Sequence, residues 1–371
     1  MGVVADGALV LAGVAITFAV LDSALRTFVL PRGSRTTLTR AVFVAVRGVF
    51  GLVVRPTRSY RARDRVMALY APVGLLALVF VWMTMVMTAY MLMFRALSVD
   101  TWQQAFRLSG SSFFTLGFAS PPNDTMSYAL AFTEAGAGLG LLALLIAYLP
   151  TIYNAFSRRE VLVAKLAVRG GEPPSGTDIL VRAQRMQRFN LIDDLWVEWQ
   201  SWFAELEETH TSLAVLSFFR SPQPERSWIT AAGAVLDGAS LYNSVMAVPF
   251  SPNAGACVRG GFGALRAIAT YYEIPFDPDP APTDPISIAR EEFDEACKRF
   301  EEAHLPMRDD RDQAWRDFQG WRVNYDSVLL ALAGLTMAPY APWSSDRSMR
   351  YRRPRLVGWR GRRVDGPRPP S

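Results

Sequence analysis

The stretch TWQQAFRLSGSSFFTLGFASPPND, residues 101–124, decides the fold because it joins two long apolar segments and is largely apolar itself. Trp102, Ala105 and Leu108 recur at helical spacing, and two prolines close the stretch. An apolar helix too short to span a bilayer is typical of a re-entrant segment. Irregular backbone at membrane depth is tolerated only where it is buried in protein or lines a water-filled path. The stretch therefore predicts a half-helix that enters the membrane and an extended return whose carbonyls face a pore.

Three segments around this stretch are long and apolar enough to cross a bilayer, which takes about 20 helical residues. They are Gly7–Leu30, Val66–Leu97 and Tyr128–Tyr153. The first is interpreted as a retained anchor within residues 1–30, because only Asp6 precedes it and a signal peptide needs positive charge there. Asp22 and Arg26 lie four residues apart in this anchor and predict an ion pair.

The charges of the loops predict the orientation. Residues 31–65 contain nine arginines and one aspartate, whereas residues 98–127 contain only one arginine and two aspartates. The stretch after the third segment is again basic. Because basic loops stay on the cytoplasmic side, we expect a multi-pass protein of the cell (inner) membrane. Its N-terminus would lie outside and its C-terminal domain in the cytoplasm.

Residues 37–54 are also apolar, apart from Arg40 and Arg47, which lie seven residues apart on one helical face. This spacing favours a helix lying in the membrane interface. A fourth crossing would place its two arginine-rich flanks on opposite sides of the membrane. Both alternatives remain open, and the interfacial helix is the preferred one.

The residues of the central loop resemble a known family. The five are Thr115, Leu116, Gly117, Phe118 and Ala119, and they are similar to the potassium-channel filter Thr-Val-Gly-Tyr-Gly. The order of helix, pore loop and helix matches the pore module of tetrameric cation channels. The resemblance covers residues 66–156, about a quarter of the chain.

The resemblance implies a homotetramer in which residues 66–97 form the outer helix and residues 128–153 form the inner helix. Thr115 would supply a hydroxyl and a carbonyl, and the carbonyls of the next three residues would replace the hydration shell of a monovalent cation. It implies no cofactor beyond the permeant ion, most plausibly potassium. The chemistry agrees, since carbonyls that point the same way need unusual φ values and hence glycine. Leu116 and Phe118 could anchor the loop by packing on the pore helix.

Ala119 departs from the family pattern, because it stands where the family has its second glycine. A left-handed conformation there would cost about 1–2 kcal/mol in each subunit. Two functions follow from the sequence. The first is a pore that conducts monovalent cations, and the alternative is a non-conducting membrane-anchored sensor or scaffold that keeps the pore module for assembly.

Further residues of the pore module have predicted roles. Ser111 and Ser112 precede the filter and are expected to support it. Gly136, Gly138 and Gly140 lie in the third segment and indicate either close helix packing or an inner-helix hinge. Glu134 would either attract cations at the mouth or anchor the loop from behind by a hydrogen bond.

A linker at residues 157–175 is expected to lead into a helical domain at residues 176–345. The helical patterns are Thr177–Thr209, Glu225–Met246, Ala254–Tyr271, Pro285–His304 and Asp309–Leu332. No alternating strand pattern and no dinucleotide-binding motif occurs, so a Rossmann fold is not supported. The fold class is therefore an all-α membrane protein with three crossings, a re-entrant pore loop and a cytoplasmic helical domain.

Within this domain, Trp196, Trp199 and Trp202 share one helical face and predict a core stripe rather than an aromatic cage. Residues 228–249 are apolar enough to suggest another crossing, but Asp237 favours a buried core helix. His210, Phe219 and Arg220 form a weak candidate for a small ligand pocket. We find no grouping of a nucleophile and a base, so no enzyme is predicted.

The net charge of +5 conceals a strong segregation. Residues 172–345 contain 14 basic and 25 acidic residues, whereas residues 346–371 contain nine arginines and two aspartates. We expect this C-terminal tail and residues 31–65, both rich in arginine, to contact anionic lipid headgroups. Aromatic residues are sparse in the tail, so no nucleic-acid partner is predicted.

Overall fold

The computed structural model of the protein describes residues 3–28, 36–55 and 60–347. Its membrane-type half has six helices: α1 Val3–Phe28, α2 Thr37–Val54, α3 Tyr60–Ala68, α4 Tyr70–Leu97, α5 Trp102–Phe113 and α6 Thr125–Gly170. The other half contains α7 Gly176–Arg185, α8 Ile192–Ser212, α9 Trp228–Val245, α10 Pro252–Tyr271, α11 Arg290–Glu302, α12 Arg311–Arg322 and α13 Asp326–Thr336. Within the described residues there is one isolated β-bridge, between Met246 and Met307, and no strand. The all-helical expectation is therefore confirmed.

Four stretches in the described residues are long and apolar enough to cross a membrane. They are Val3–Phe28, Thr37–Val54, Tyr60–Leu97 and Thr125–Gly170. The first packs along α4, where a Cβ on Gly13 would lie 2.6 Å from the carbonyl oxygen of Ala89. The predicted Asp22–Arg26 ion pair forms, with 2.7 Å between the charged atoms.

Helix α6 is 46 residues long, about 69 Å at the usual rise of an α-helix. It begins at Thr125 because Asp124 caps it, accepting a hydrogen bond from the Ser127 amide at 2.8 Å. It then runs on to Gly170, through most of residues 157–175, which the sequence predicts to be a linker. Val163 and Leu166 explain the difference, because they pack into the core of the helical domain. The non-helical part of this linker begins at Gly171.

The helical domain is built around α9. Of its 18 residues, 17 are buried, so the prediction of a core helix at residues 228–249 is confirmed. Trp196, Trp199 and Trp202 all lie in the same core, as the stripe predicts. Cys257 and Cys297 are buried and free.

Two of the predicted helices are broken in the structure. The predicted helix Thr177–Thr209 ends at Arg185 and resumes at Ile192, because Gln187 has a φ of +54° and Phe189 turns to pack on Tyr242, 5.5 Å between ring centroids.

The predicted helix Asp309–Leu332 divides after Arg322, whose guanidinium contacts Asp326 and the carbonyl of Trp343. The helix predicted from Pro285 begins only at Arg290, since two hydrogen bonds to Asp326 hold Ser287 in a bend.

Residues 36–55 and 60–68 dock on the helical domain. Arg47 donates to the Leu335 carbonyl at 3.1 Å, and Arg40 lies 3.7 Å from Glu273. Arg61 pairs with Glu225 at 2.9 Å. These three arginines therefore contact the acidic domain, because carboxylates and a helix-end carbonyl lie within their reach. Contact of the arginine-rich residues with anionic lipid headgroups stays a prediction. The predicted tail lies outside the described residues from position 348 onward.

Candidate functional site

Helix α5 lies against α4 and α6 and forms the first half of the candidate site. It begins after Thr101, whose hydroxyl accepts a hydrogen bond from the Gln104 amide at 3.2 Å. Ala105, Leu108 and Phe113 are its buried apolar residues, and they join the core that α4 and α6 share. Ala105 and Leu108 lie on the face that the helical spacing in the sequence predicts, whereas Trp102 is 46% exposed.

After α4 ends, the chain runs back alongside α4 as α5 and then returns to the level of the end of α4. Ser109 donates to the carbonyl of Met87, which lies ten residues, or about 15 Å, from the end of α4 at Leu97. At the return, Ser127 donates to Ser98 at 2.7 Å, so the start of α6 meets the end of α4. Between Ser98 and Ser127 the backbone therefore enters the space beside α4 and α6 and leaves it on the same side.

The return segment, residues 114–124, has an unusual backbone. Thr115 has a φ of +55° and Gly117 a φ of +71°, while Leu116 between them does not have a positive φ. The amide of Leu116 donates to the Ser111 carbonyl at 2.8 Å, and that of Thr115 donates to the Ser112 carbonyl at 3.0 Å. The first residues of the return segment are thus held to the last turn of α5.

Ser111 also holds the far end of the motif. Its hydroxyl accepts a hydrogen bond from the Ala119 amide at 3.0 Å. Ala119 does not have a positive φ, so the strain expected at this residue does not arise. The physical reason is that Ser111 fixes Ala119 in an ordinary conformation, and the left-handed residues are Thr115 and Gly117.

Leu116 and Phe118 do not pack on α5 as the sequence suggests. Their exposed fractions are 63% and 58%. Hydrogen bonds that Ser111 and Ser112 accept, rather than apolar packing, hold the return segment in the single chain. The two apolar side chains are exposed there.

Glu134 contacts α5, the helix that precedes the return segment. The residue is fully buried, and the Ser109 hydroxyl lies 2.5 Å from its Oε1 atom. This contact is of the kind expected of an anchor, and the role of Glu134 in holding a pore loop stays a prediction.

The three glycines of α6 differ in their surroundings. A Cβ on Gly138 would clash with the carbonyl oxygen of Phe113, whereas Cβ atoms on Gly136 and Gly140 would meet nothing within 4 Å. Gly138 therefore permits close packing of α5 on α6. Helix α6 is continuous through all three positions, and a hinge there stays a prediction.

The weak pocket predicted from His210, Phe219 and Arg220 does not form around all three residues. Phe219 and Arg220 line a cavity of about 20 Å³, room for about one water. His210 does not line the cavity; it is fully buried, and its ring lies tilted at 4.8 Å between centroids from that of Trp228, which does line the cavity. Arg220 donates hydrogen bonds to Asp64 and to the Thr336 carbonyl, which lies 2.7 Å away.

Arg159 donates to His210 Nε2 at 3.2 Å. Since a guanidinium can only donate, Nε2 accepts and the imidazole is neutral. Burial, and then the nearby charge of Arg159, lower the pKa of His210 well below its usual value.

The sequence analysis missed a buried charge cluster in the helical domain. Arg322 is fully buried and contacts Asp237 and Asp326, and the Tyr325 hydroxyl donates to Asp237 at 2.9 Å. The signal was present, because an aspartate in an apolar helix needs a buried partner. Within residues 3–28, 36–55 and 60–347, no three side chains of the metal-binding types form a group that could hold an ion.

Comparison with known proteins gives a distant relative. A stretch of 154 residues is 24% identical to a Bacillus subtilis (strain 168) protein named "Uncharacterized membrane protein YdjJ". The match spans 41% of this chain and 44% of the length of that relative. No family model and no solved structure matches the chain. The relative and the four apolar helices together identify a multi-pass membrane protein.

Proposed function

We propose that this protein is the subunit of a homotetrameric pore that conducts monovalent cations, potassium above all. The observation on which the proposal rests is the course of residues 101–124. A short helix descends between α4 and α6, and the chain returns through Thr115 and Gly117 with positive φ.

The backbone of the return segment suits a dehydrated cation. In an ordinary extended chain successive carbonyls point to opposite sides. A backbone that alternates left-handed and right-handed conformations can turn successive carbonyls toward one side, and the sign of φ alternates at Thr115, Leu116 and Gly117. A row of carbonyl oxygens can replace the water around an ion.

Four copies are proposed because one loop cannot surround an ion. The exposed side chains of Leu116 and Phe118 support this assembly, since neighbouring subunits would cover them. Glu134, Ser109 and Ser111 would hold each loop in place from behind.

The proposed topology has three crossings, α1, α4 and α6, with the N-terminus outside the cell membrane and the helical domain in the cytoplasm. Helix α2 would lie in the plane of the interface. Arg40 and Arg47 both contact the helical domain, which favours this arrangement over a fourth crossing. Its exposed Val49 and Leu52 would face lipid, and the exposed Arg55 and Arg65 would meet anionic headgroups.

The test is potassium flux into vesicles that contain the full chain. We expect a flux that barium blocks, and we expect Gly117→Ala to lower it at least tenfold. A left-handed conformation costs alanine about 1–2 kcal/mol, and the cost recurs in four subunits. Gly48→Ala is the matched control, because a Cβ there meets nothing within 4 Å and the residue lies in α2.

Light scattering should give a mass of four chains for the wild type and both variants, so that loss of flux is not loss of assembly. A well-folded tetramer that is impermeable to every monovalent cation would contradict the proposal.

The second candidate is a non-conducting membrane-anchored sensor or scaffold. Ala119 favours it, because the residue lacks a positive φ and the alternation of φ sign ends at Gly117. Ala119→Gly separates the two candidates. A gain of selective current supports an altered channel, and absence of current from both forms supports the scaffold.

A further inference from the structure

Residues 214–221, here called the wedge segment, lie where three parts of the molecule meet. The segment consists of the 3-10 helix Ala214–Phe218 followed by three further residues. It connects α8 to the turn before α9, so it belongs to the helical domain by sequence. Its contacts, however, reach both of the long helices that flank α5.

The apolar side chains of the wedge segment lie between α4 and α6. Val215 and Leu216 form one buried cluster with two residues of α4 and three of α6. These partners are Ala71, Leu75, Tyr148, Ile152 and Ala155. Leu216 is fully buried. The helical domain thus places a leucine in the space between the two helices, near the start of α4 and the middle of α6.

Polar contacts fix the wedge segment to α6. Arg159 donates to the carbonyls of Leu216 and Phe219, both at 2.8 Å. The Ser221 hydroxyl donates to Glu160 at 2.5 Å. Because Val163 and Leu166 of the same helix are part of the domain core, α6 and the domain form a continuous body.

A second set of contacts joins the wedge segment to α3 and α4. The Phe218 ring meets Tyr70 edge to face, with 5.4 Å between centroids. Arg220 pairs with Asp64, and both side chains are largely buried. The wedge segment is itself held from the domain side, where the Tyr272 hydroxyl donates to the Ala214 carbonyl at 2.6 Å.

We propose that the wedge segment sets the spacing of α4 and α6, and that through it the helical domain controls the pore. Any displacement of the domain relative to α4 must either carry these eight residues along or break the cluster around Leu216. The inference rests on the proposed pore function for its consequence, but the spacing can be measured without any current.

The experiment uses the full chain in lipid vesicles, with spin labels at the exposed positions Val73 of α4 and Tyr153 of α6. Labelled chains are diluted with unlabelled ones so that distances within one subunit are recorded. Leu216→Ala should shift or broaden the α4–α6 distance distribution. It should also change potassium flux about fivefold or more, the usual size of coupling between two sites.

Leu265→Ala is the matched control, because it removes the same side chain from a fully buried place in the domain core, away from α4. It should leave the distance distribution as in the wild type. Arg220→Gln is the second variant, should Leu216→Ala fail to fold. It keeps much of the side-chain volume, loses the pair with Asp64, and should shift the same distribution.

An α4–α6 distribution that Leu216→Ala or Arg220→Gln leaves unchanged overturns the inference. If the variants shift the distribution but the wild-type protein never conducts, the result supports the role of the wedge segment in setting the α4–α6 spacing. It then counts against the proposed pore. A shifted distribution with unchanged flux in a conducting protein overturns control of the pore.

Discussion

At the scale of single residues, Ser109 and Glu134 show how the loop is supported from behind. The Ser109 hydroxyl lies 2.9 Å from the Met87 carbonyl and 2.5 Å from Glu134 Oε1. It has one proton, which cannot serve both oxygens. A side chain at 134 that donates to Ser109 would satisfy both contacts.

Glu134→Gln should therefore keep the fold and the flux, because the glutamine amide can donate to Ser109 while Ser109 donates to Met87. Glu134→Ala should lower the free energy of unfolding by about 1–3 kcal/mol, since it removes a buried partner and leaves a space. Thermal unfolding in detergent, followed with the flux, compares the two variants. Equal losses of stability and flux in the two variants would show that the hydrogen bond to Ser109 does not stabilise the loop.

The sequence allowed part of this arrangement to be predicted. Ser111 was expected to support the loop, and Glu134 was expected either behind it or at its mouth. To choose between the two positions, one must know how α6 is rotated about its axis relative to α5. The contact of Gly138 with Phe113 sets this rotation. Periodicity within one helix carries no information about its rotation against another.

At the scale of helices, the packing of α5 on α6 depends on one of the three glycines. Gly138→Ala should push α5 away from α6, because the new Cβ meets backbone that cannot rotate aside. We expect a loss of about 1–3 kcal/mol in the free energy of unfolding, the usual cost of overpacking. Gly140→Ala is the matched control and should be neutral or slightly stabilising, since its Cβ meets open space.

Thermal unfolding and flux should be recorded for both glycine variants. If Gly140→Ala abolishes flux without changing the unfolding temperature, the glycine acts as a hinge. If Gly138→Ala leaves both measurements as in the wild type, close packing at this residue is unimportant.

Helix existence was predictable from sequence, whereas helix breaks were not. The apolar spacing continues across residues 186–191, yet the helix stops there because Phe189 packs on Tyr242 of α9. In the same way Arg322 donates a hydrogen bond to Asp237, 85 residues away along the chain, and α12 ends at Arg322. The wedge segment was missed for the same reason, because its partners lie far away in sequence.

At the scale of the whole molecule, His210 and Arg159 sit at the junction between α6 and the helical domain. The folded protein lowers the pKa of His210, so between that value and about 6.5 the unfolded chain binds the extra proton. The free energy of unfolding should therefore be highest above pH 7. It should fall as the pH drops below about 6.5, by up to about 1.4 kcal/mol for each pH unit.

Protonation would place a second cation against Arg159, whose guanidinium is already matched by Glu160. Denaturant unfolding at pH 7.5 and pH 5.5, followed by tryptophan fluorescence, measures the effect. His210→Gln should show a weaker loss on acidification than the wild type. Parallel losses in the two proteins would assign the acid sensitivity to other groups.

The pairing of Arg61 with Glu225 also has a consequence for the order of events during synthesis. The two residues are 164 positions apart. At about 5–20 residues per second the arginine waits roughly 8–33 s for its partner. In the proposed topology this arginine would lack its carboxylate partner during that interval and could help to hold the loop on the inner side of the membrane. The same side chain then becomes part of the docking site for the domain that follows.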